Sequence, residues 1–248
     1  MIYLKSKSEI ELMRLAGTIV KDTLDLLIEA TKEGVSTKEL DKLAYEYITS
    51  QGATPSFLHY NGYPASICVS VDDEVVHGIP HKNRLLCEGN IVSYDVGACL
   101  NGWQGDAART VGVGKISKEK QNLIEVTRQC FFEALNIIKP GVRLGDIGQT
   151  IQSYAESFGY GVVRELCGHG IGRAMHEDPC VPNFGRAGRG LRLESGMAIA
   201  IEPMINMCNY EVYTLSDGWT VKTRDGLPSA HYENTVAVTD EGAVILTL

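Results

Sequence analysis

No stretch of this 248-residue sequence approaches the roughly 18 consecutive apolar residues that a membrane-crossing helix needs, which excludes an integral helical membrane protein. A basic excess is missing as well. Asp and Glu number 31 against 23 Lys and Arg, for a formal charge of -8, so the overall electrostatic footprint of a nucleic-acid binder is absent. The seven cysteines (Cys68, Cys87, Cys99, Cys130, Cys167, Cys180 and Cys208) contain no Cys-x-x-Cys pair and cannot all pair with one another. No secretory signal is evident, because Met1-Ile2-Tyr3-Leu4-Lys5-Ser6 leads straight into a charged helical pattern. Reduced thiols in a cytoplasmic protein are therefore expected, rather than a disulfide framework. Linkers and low-complexity segments are also lacking. With 44% hydrophobic and 22% charged residues, the chain is expected to form one soluble domain, 1–248.

What is present, first, is helical periodicity. Ser8-Glu9-Ile10-Glu11 reads as a capping box, and Ile10, Leu12, Met13, Leu15, Ala16, Ile19, Val20, Leu24, Leu27 and Ile28 give helical periodicity in a run that Gly34 ends. Ser36-Thr37-Lys38-Glu39 is a second capping box, opening a shorter helix that ends at Gly52. The order then repeats. Lys118 to Ile138 reads as a long helix stopped by Pro140-Gly141, and Leu144 to Phe158 as a short one closed by Gly159. A shift of 107 places Gly34, Val35, Tyr47 and Gly52 on Gly141, Val142, Tyr154 and Gly159. Strand-like runs are Ala65–Val71, 90–110, Tyr160–Leu166, Met197–Ile201, Thr220–Thr223, Ala230–Val238 and a last segment to Leu248. The pattern predicts an α+β fold of two pseudo-equivalent halves, about 1–115 and 116–248, with helices covering one face of a curved, mostly antiparallel sheet.

The stretch from Asn90 to Thr110 carries Asp95 and Asp106 in two strand-like runs joined by Asn101-Gly102, the strongest short-range hairpin signal. With those two residues in the turn, cross-strand partners have numbers summing to 203. Asp95 then faces Ala108, and both aspartates point to one face as diagonal neighbours, roughly 7–8 Å apart at the backbone. No cross-strand cation neutralises them, and paired carboxylates beside an apolar run repel each other and resist desolvation. A divalent cation would remove that cost; an exposed hairpin with ordinary surface acids is the competing reading.

Three further sites have the same ambiguity. His169 lies in Leu166-Cys167-Gly168-His169-Gly170-Ile171-Gly172, where glycines permit a ligand-bearing loop after a strand. Glu202 ends the apolar run Met197–Ile201 and, if buried, needs a partner. Glu233 alternates with Tyr232 and Asn234 along a strand. Each alone is compatible with a solvated acid or histidine. Together they supply four carboxylates and one imidazole, a charge that two divalent ions would balance, and an oxygen-rich set with one nitrogen suits Mn, Fe, Co or Zn. His77 and His176 would then act outside the metals, on an oxyanion or a proton. Competing motifs fail. His176-Glu177 lacks the second histidine of a zincin, since position 180 is Cys, and Gly168-x-Gly170-x-Gly172 has the wrong spacing for a dinucleotide loop. A Cys167 nucleophile paired with His169 has no orienting group.

Across almost its whole length the sequence resembles type I methionine aminopeptidases. The matching segments are Tyr60-Asn61-Gly62-Tyr63-Pro64, Val76-His77-Gly78-Ile79-Pro80, Asp95 and Asp106 eleven apart, Gly168 to Gly172, Met175-His176-Glu177-Asp178-Pro179, Ile201-Glu202-Pro203, Gly218 to Thr223, and Tyr232-Glu233. The resemblance implies the pita-bread fold and a centre of two divalent metal ions. Asp95 would chelate one ion, Asp106 and Glu233 would bridge both, and His169 and Glu202 would complete the other. A water between them would attack the carbonyl after an N-terminal methionine, with Glu202 as proton carrier. His176 would stabilise the oxyanion and His77 contact the peptide beyond the scissile bond. Tyr60, Tyr63, Cys68, Met175 and Trp219 would be substrate-binding, as would His77 and His176; a thioether suits a soft aromatic slot.

This sequence departs from the family pattern at Phe57, where a small residue is usual, at Met175, where phenylalanine is common, and at His231 and Asn234, where Gln and His are more usual. About 31 residues separate Glu202 from Glu233, too few for the insertion of type II enzymes, and no zinc-binding extension precedes the first helix, so the short bacterial form is implied. The expected partner is the N-terminus of a nascent polypeptide or peptide, with the ribosome as a candidate contact, no nucleic acid, no membrane, and a monomeric state. Met1-Ile2 has a bulky second residue, so the chain is expected to keep its own methionine. The alternatives are an Xaa-Pro-directed peptidase of the same fold and a non-catalytic pita-bread binding protein.

Overall fold

The computed structural model describes residues 2–248, so the expected retention of Met1 lies outside the described residues. Helix α1 (Lys7–Ala30) starts earlier than its sequence pattern suggests. Ser6, not Ser8, is the N-cap, and its reciprocal partner is Glu9, whose carboxylate accepts from the Ser6 backbone N–H at 2.8 Å. Lys5 supplies the reason. Its N–H donates to the Gly196 carbonyl at 2.7 Å and its ammonium pairs with Glu177 at 2.7 Å, so the chain is anchored there and turns into the helix at once. Helix α2 (Thr37–Ser50) uses the Ser36/Glu39 box as expected, and α3 (Lys118–Ile137) and α4 (Leu144–Ser157) fall where periodicity places them.

The strands of the first half are β1 (Thr54–Pro55), β2 (Cys68–Val71), β3 (Glu74–Val76), β4 (Ile91–Leu100) and β5 (Trp103–Gly112). Those of the second are β6 (Gly161–Val162), β7 (Gly168–Gly170), β8 (Glu177–Val181), β9 (Ala198–Ile201), β10 (Met204–Asn206), β11 (Val212–Thr214), β12 (Val221–Thr223), β13 (Ser229–His231), β14 (Glu233–Thr239) and β15 (Gly242–Ile245). Nine of them form an antiparallel sheet in the order β1-β4-β5-β14-β9-β7-β8, with β2 also on β4 and β15 also on β14. Two three-stranded sheets, β13-β10-β6 and β11-β12-β3, stand beside it. The apolar stripes of α1 and α2 pack against β2, β4 and β5 around Val20, Leu24, Leu40 and Tyr94. Those of α3 and α4 pack around Phe131, Ile147, Ile199 and Val236. Each fully buried aliphatic side chain contributes about 1.5–3 kcal/mol, so tertiary burial, not propensity, holds the helices.

The offset of 107 extends past the helices. The Gly34 N–H donates to Leu86 O and the Gly141 N–H to Leu193 O, both at 2.8 Å; Leu86 N–H returns to Val35 O at 2.9 Å and Leu193 N–H to Val142 O at 2.7 Å. The isolated bridges Ser36–Leu85 and Arg143–Arg192 match in the same way. Asp95 and Glu202 are separated by the same interval.

Some expectations are corrected. The run Ala230–Val238 is two strands in two different sheets, because Tyr232 leaves the ladder, donates its N–H to Pro203 O at 3.2 Å and packs its ring on Phe131 and the Arg109 guanidinium. Of Tyr160–Leu166 only Gly161–Val162 is strand. Strand β8 was not evident in the sequence because Pro179 interrupts it; the sheet edge tolerates the missing donor. The expectation of uniformly reduced thiols fails for Cys167 and Cys180. Pairing of β7 with β8 brings their Cα atoms to 6.1 Å, and they are disulfide-bonded, while the other five cysteines are free. Among the described residues, no helix is long and apolar enough to cross a membrane.

Candidate metal centre and the adjoining cavity

The hairpin forms as its turn residues dictate. Asn101 and Gly102 have φ of 52° and 77°, and the register runs Leu100–Trp103, Asp95–Ala108 and Gly97–Asp106. Neighbouring strands extend the row. Strand β14 lays Glu233 opposite Ala108 and β2 lays Cys68 opposite Asp95. Cys68, Asp95, Ala108 and Glu233 thus share one row across four strands, and the small Ala108 leaves room between the two acids. Tyr94, Val96 and Ala107 alternate into the helix-side core, so this row points away from the helices.

His169 enters from β7. It sits within a strand, not in the loop expected, and its flanking glycines serve close packing. A β-carbon on Gly168 would lie 2.3 Å from Ala200 O, and one on Gly170 would lie 2.1 Å from Asp178 O. The His169 Nδ1 is 2.9 Å from the Gly170 carbonyl, which can only accept, so Nδ1 carries the hydrogen and Nε2 presents its lone pair to the acids. That Nε2 is 3.5 Å from Asp106 Oδ2 and 3.8 Å from Glu202 Oε1. Glu202 follows β9, its carbonyl held by the Asn183 amide at 2.9 Å. All five ligand candidates converge.

The electrostatics are those of buried acids crowded together. Burial pushes the Asp95 carboxyl up to about 7. Burial, and then the charge of neighbouring acids, hold Asp106, Glu202 and Glu233 well above the usual carboxylate range. Burial, with His176 nearby, lowers His169 and His77 to about 4, and burial also lowers His176. Asp95 Oδ1, Asp106 Oδ1 and Glu233 Oε1 are buried without a hydrogen-bond partner. Uncompensated acceptors of this kind cost several kcal/mol unless protons or a metal satisfy them. Asp106, His169 and Glu233 place ligand atoms within 4.8 Å of one another, and so do Asp95, His231 and Glu233.

A cavity of ≈ 440 Å³ opens from this cluster, lined at its other end by Phe57, Tyr60, Asn61, Tyr63, Cys68 and Trp219, with His77 and His176 between. Trp219 meets Tyr63 edge-on, ring centroids 5.1 Å apart, and meets His77 at 6.3 Å. His77 holds a left-handed backbone, φ 59°, rare for a non-glycine residue and concentrated at functional sites. The His176 ring lies 4.2 Å from that of His169, and its Nδ1 is 2.9 Å from the Tyr60 hydroxyl. Met175 is the exception among the expected lining residues. It is buried behind the wall, near Gly97 and Phe57. His231 was noted in the sequence only as a departure, yet it reaches the cluster; strand alternation from Glu233 was the signal that would have placed it there.

The model of Metallopeptidase family M24 matches residues 11–240. The methionine aminopeptidase of Clostridium acetobutylicum is 56% identical over 248 residues, covering 100% of this chain and 99% of that protein. Among solved structures, methionine aminopeptidase from Rickettsia prowazekii aligns with a TM-score of 0.98 at 44% identity over 100% of both chains. The prolidase from Pyrococcus furiosus aligns at 0.81 and 25% identity, covering 99% of this chain but 65% of that one. The curled antiparallel sheet with its four helices is the pita-bread fold that the sequence resemblance implied.

Proposed function

The chain belongs to metallopeptidase family M24, and on that footing we propose that it is a bacterial type I methionine aminopeptidase that removes the N-terminal methionine of polypeptides whose second residue is small. Relatives that match it from end to end carry that name. We read the chain as one unit of two related halves, acting as a monomer on nascent chains in the cytoplasm. The observation that carries the reading is the joining, in one cavity, of a buried acid-histidine cluster and an aromatic pocket.

The donor set fits divalent ions, since three orphaned carboxylate oxygens and the bare Nε2 of His169 face one another. In this reading Asp95, Asp106 and Glu233 would hold one ion and Asp106, Glu233, His169 and Glu202 the other, with Mn, Fe, Co and Zn as candidates. When bound, such ions supply an acidified water and a polarised carbonyl. The protein's own groups do the rest. Glu202, following β9 with its carboxylate in the cavity, takes a proton and delivers it to the leaving amine. His176, fixed through Nδ1 by Tyr60, offers Nε2 to the oxygen that gains charge. His77 contacts the peptide beyond the scissile bond. Tyr60, Tyr63, Cys68 and Trp219 enclose the thioether, and Met175 supports them from behind.

Likeness to the prolidase favours the Xaa-Pro alternative less, because identity to it is 25% against 56% to the methionine aminopeptidase of Clostridium acetobutylicum. A purely binding role leaves the five convergent ligands without a purpose. The test is a metal-reconstituted assay on Met-Ala-Ser, Met-Leu-Ser and Ala-Pro-Ser. Release of methionine from the first, with little turnover of the others, is expected. Equal rates on the first two overturn the size selection, and preference for Ala-Pro-Ser replaces the reading with the prolidase one.

A further inference from the structure

His231 is the residue at this centre that the five-ligand scheme leaves without a task. Its side chain is 1% exposed, and both ring nitrogens are buried without a hydrogen-bond partner. An imidazole retained only for packing would be expected to satisfy at least its N–H. The ring is not free to look elsewhere. The backbone of His231 is pinned on both sides by Thr110, whose hydroxyl accepts its N–H at 2.9 Å and donates to its carbonyl at 2.8 Å, and β10 pairs Met204 with it.

What the ring does face is two of the cluster's carboxylates. Nε2 lies 3.7 Å from Glu202 Oε2 and 3.7 Å from Glu233 Oε2. These separations are too long for hydrogen bonds. The separation from Glu233 suits two donors on a common ion, because ligand atoms each about 2.1 Å from one metal stand on the order of 3.5 Å apart at tetrahedral or wider angles, and Glu202 borders the ring from the neighbouring ion's side. His169, already assigned as a ligand, stands from its acids in the same way, at 3.5 Å from Asp106 and 3.8 Å from Glu202. Asp95, His231 and Glu233 also form a set of ligand atoms lying within 4.8 Å of one another.

We propose that His231 is a sixth metal ligand, binding through Nε2 the ion that Asp95 and Glu233 hold. The inference rests on the reading of the cluster as a two-ion centre and deepens it. Each ion then has one imidazole, and the site that would otherwise be all carboxylate becomes a mixed nitrogen-oxygen site. Such a site favours Zn, Co or Fe over Mn more than a purely carboxylate one does.

The experiment is zinc X-ray absorption on the full-length protein loaded with two equivalents of zinc, where imidazole scattering counts histidines per metal. Two imidazoles per two zinc ions are expected in the parent, and one in either H231Q or H169Q. Zinc titration calorimetry of H231Q should show one of two binding events weakened by roughly tenfold or more, with the other unchanged. Two bound zinc ions with one imidazole between them overturn the role of His231 while leaving the two-ion centre standing. Failure of the parent to bind zinc at all overturns both. Because the parent's spectrum decides the main question, a folding defect in H231Q would not rescue the proposal.

Discussion

The two halves of the molecule are built alike but present their candidate ligands differently. In both, a glycine with positive φ (Gly34 at 86°, Gly141 at 95°) leads into a short helix, and each binds its own equivalent later segment, at Leu86 and at Leu193, through matched hydrogen bonds. Asp95 on β4 and Glu202 after β9 stand at equivalent places, 107 residues apart. The partners differ. In the first half a two-residue turn returns β4 directly as β5, so Asp106 follows Asp95 by eleven positions. In the second, β9 and its partner β14 are separated by the side sheets of β10 to β13, and Glu233 comes 31 residues after Glu202. The first half thus supplies a compact, self-contained pair of acids. The second adds His169 and His176, while His77 comes from the first, and the detour through β10 to β13 brings in His231 and the Trp219 part of the cavity wall.

Metal removal should strike the comparison hardest, because it leaves acids from both halves facing one another. Chelation is expected to abolish turnover. It should also expose a pH dependence of stability. Buried acids such as Asp95, raised to about 7 from an unfolded value near 4, keep their protons in the folded state. The folded protein then binds more protons than the unfolded one between those values, so stability is present at low pH and lost as pH rises through about 7. Thermal melts of the metal-free protein should therefore fall between about pH 5 and pH 8. Saturating zinc should remove that slope, adding about 2.7 kcal/mol at one hundred times its Kd.

Next in size is the split between the equivalent acids. Glu202→Gln is expected to lower kcat by roughly 10²–10⁴, the range for a general acid-base group. Asp95→Asn should instead weaken metal binding, with activity recovering as metal is raised. Steady-state kinetics across a metal series distinguishes the two, and identical behaviour would show that Glu202 is only a ligand.

A smaller effect is expected at the contact joining the first half's Tyr60 to the second half's His176. Tyr60→Phe removes one hydrogen bond of 2.9 Å, and a loss of about 1 kcal/mol corresponds to roughly fivefold in kcat/KM. Unchanged kcat/KM on Met-Ala-Ser would remove Tyr60 from the positioning of His176. The smallest effect is purely structural. Added β-carbons at Gly34 and Gly141 meet nothing within 4 Å, so Gly34→Ala and Gly141→Ala should each cost only the backbone term, about 1 kcal/mol, and lower Tm by about 2–4 °C. Unequal shifts in calorimetry would mean that the halves are less alike than their hydrogen bonds indicate.

Much of this was legible before any coordinates. The periods of α2, α3 and α4, the Ser36 box and the Asn101-Gly102 turn are local signals, decided by dihedral preferences and apolar spacing within a few residues. The hairpin register followed by arithmetic from the turn, and with it the shared face of Asp95 and Asp106. Other features were hidden because their causes lie far away in the chain. Helix α1 begins at Ser6 because Lys5 is held by Gly196 and Glu177. Strand β8 exists because an edge tolerates Pro179, and the Cys167–Cys180 bond because β7 and β8 pair.

The sequence by itself determined the helices, the hairpin, the family resemblance and the residue types of the centre, because each depends on short-range chemistry or on motifs read in order. Only the tertiary structure decided which acids share a row, that Met175 stands behind the pocket wall, and that His231 brings its Nε2 to 3.7 Å from both Glu202 and Glu233. Those outcomes depend on strand pairing between residues far apart in the chain, and a one-residue slip in any of these ladders would point the side chains to the other face.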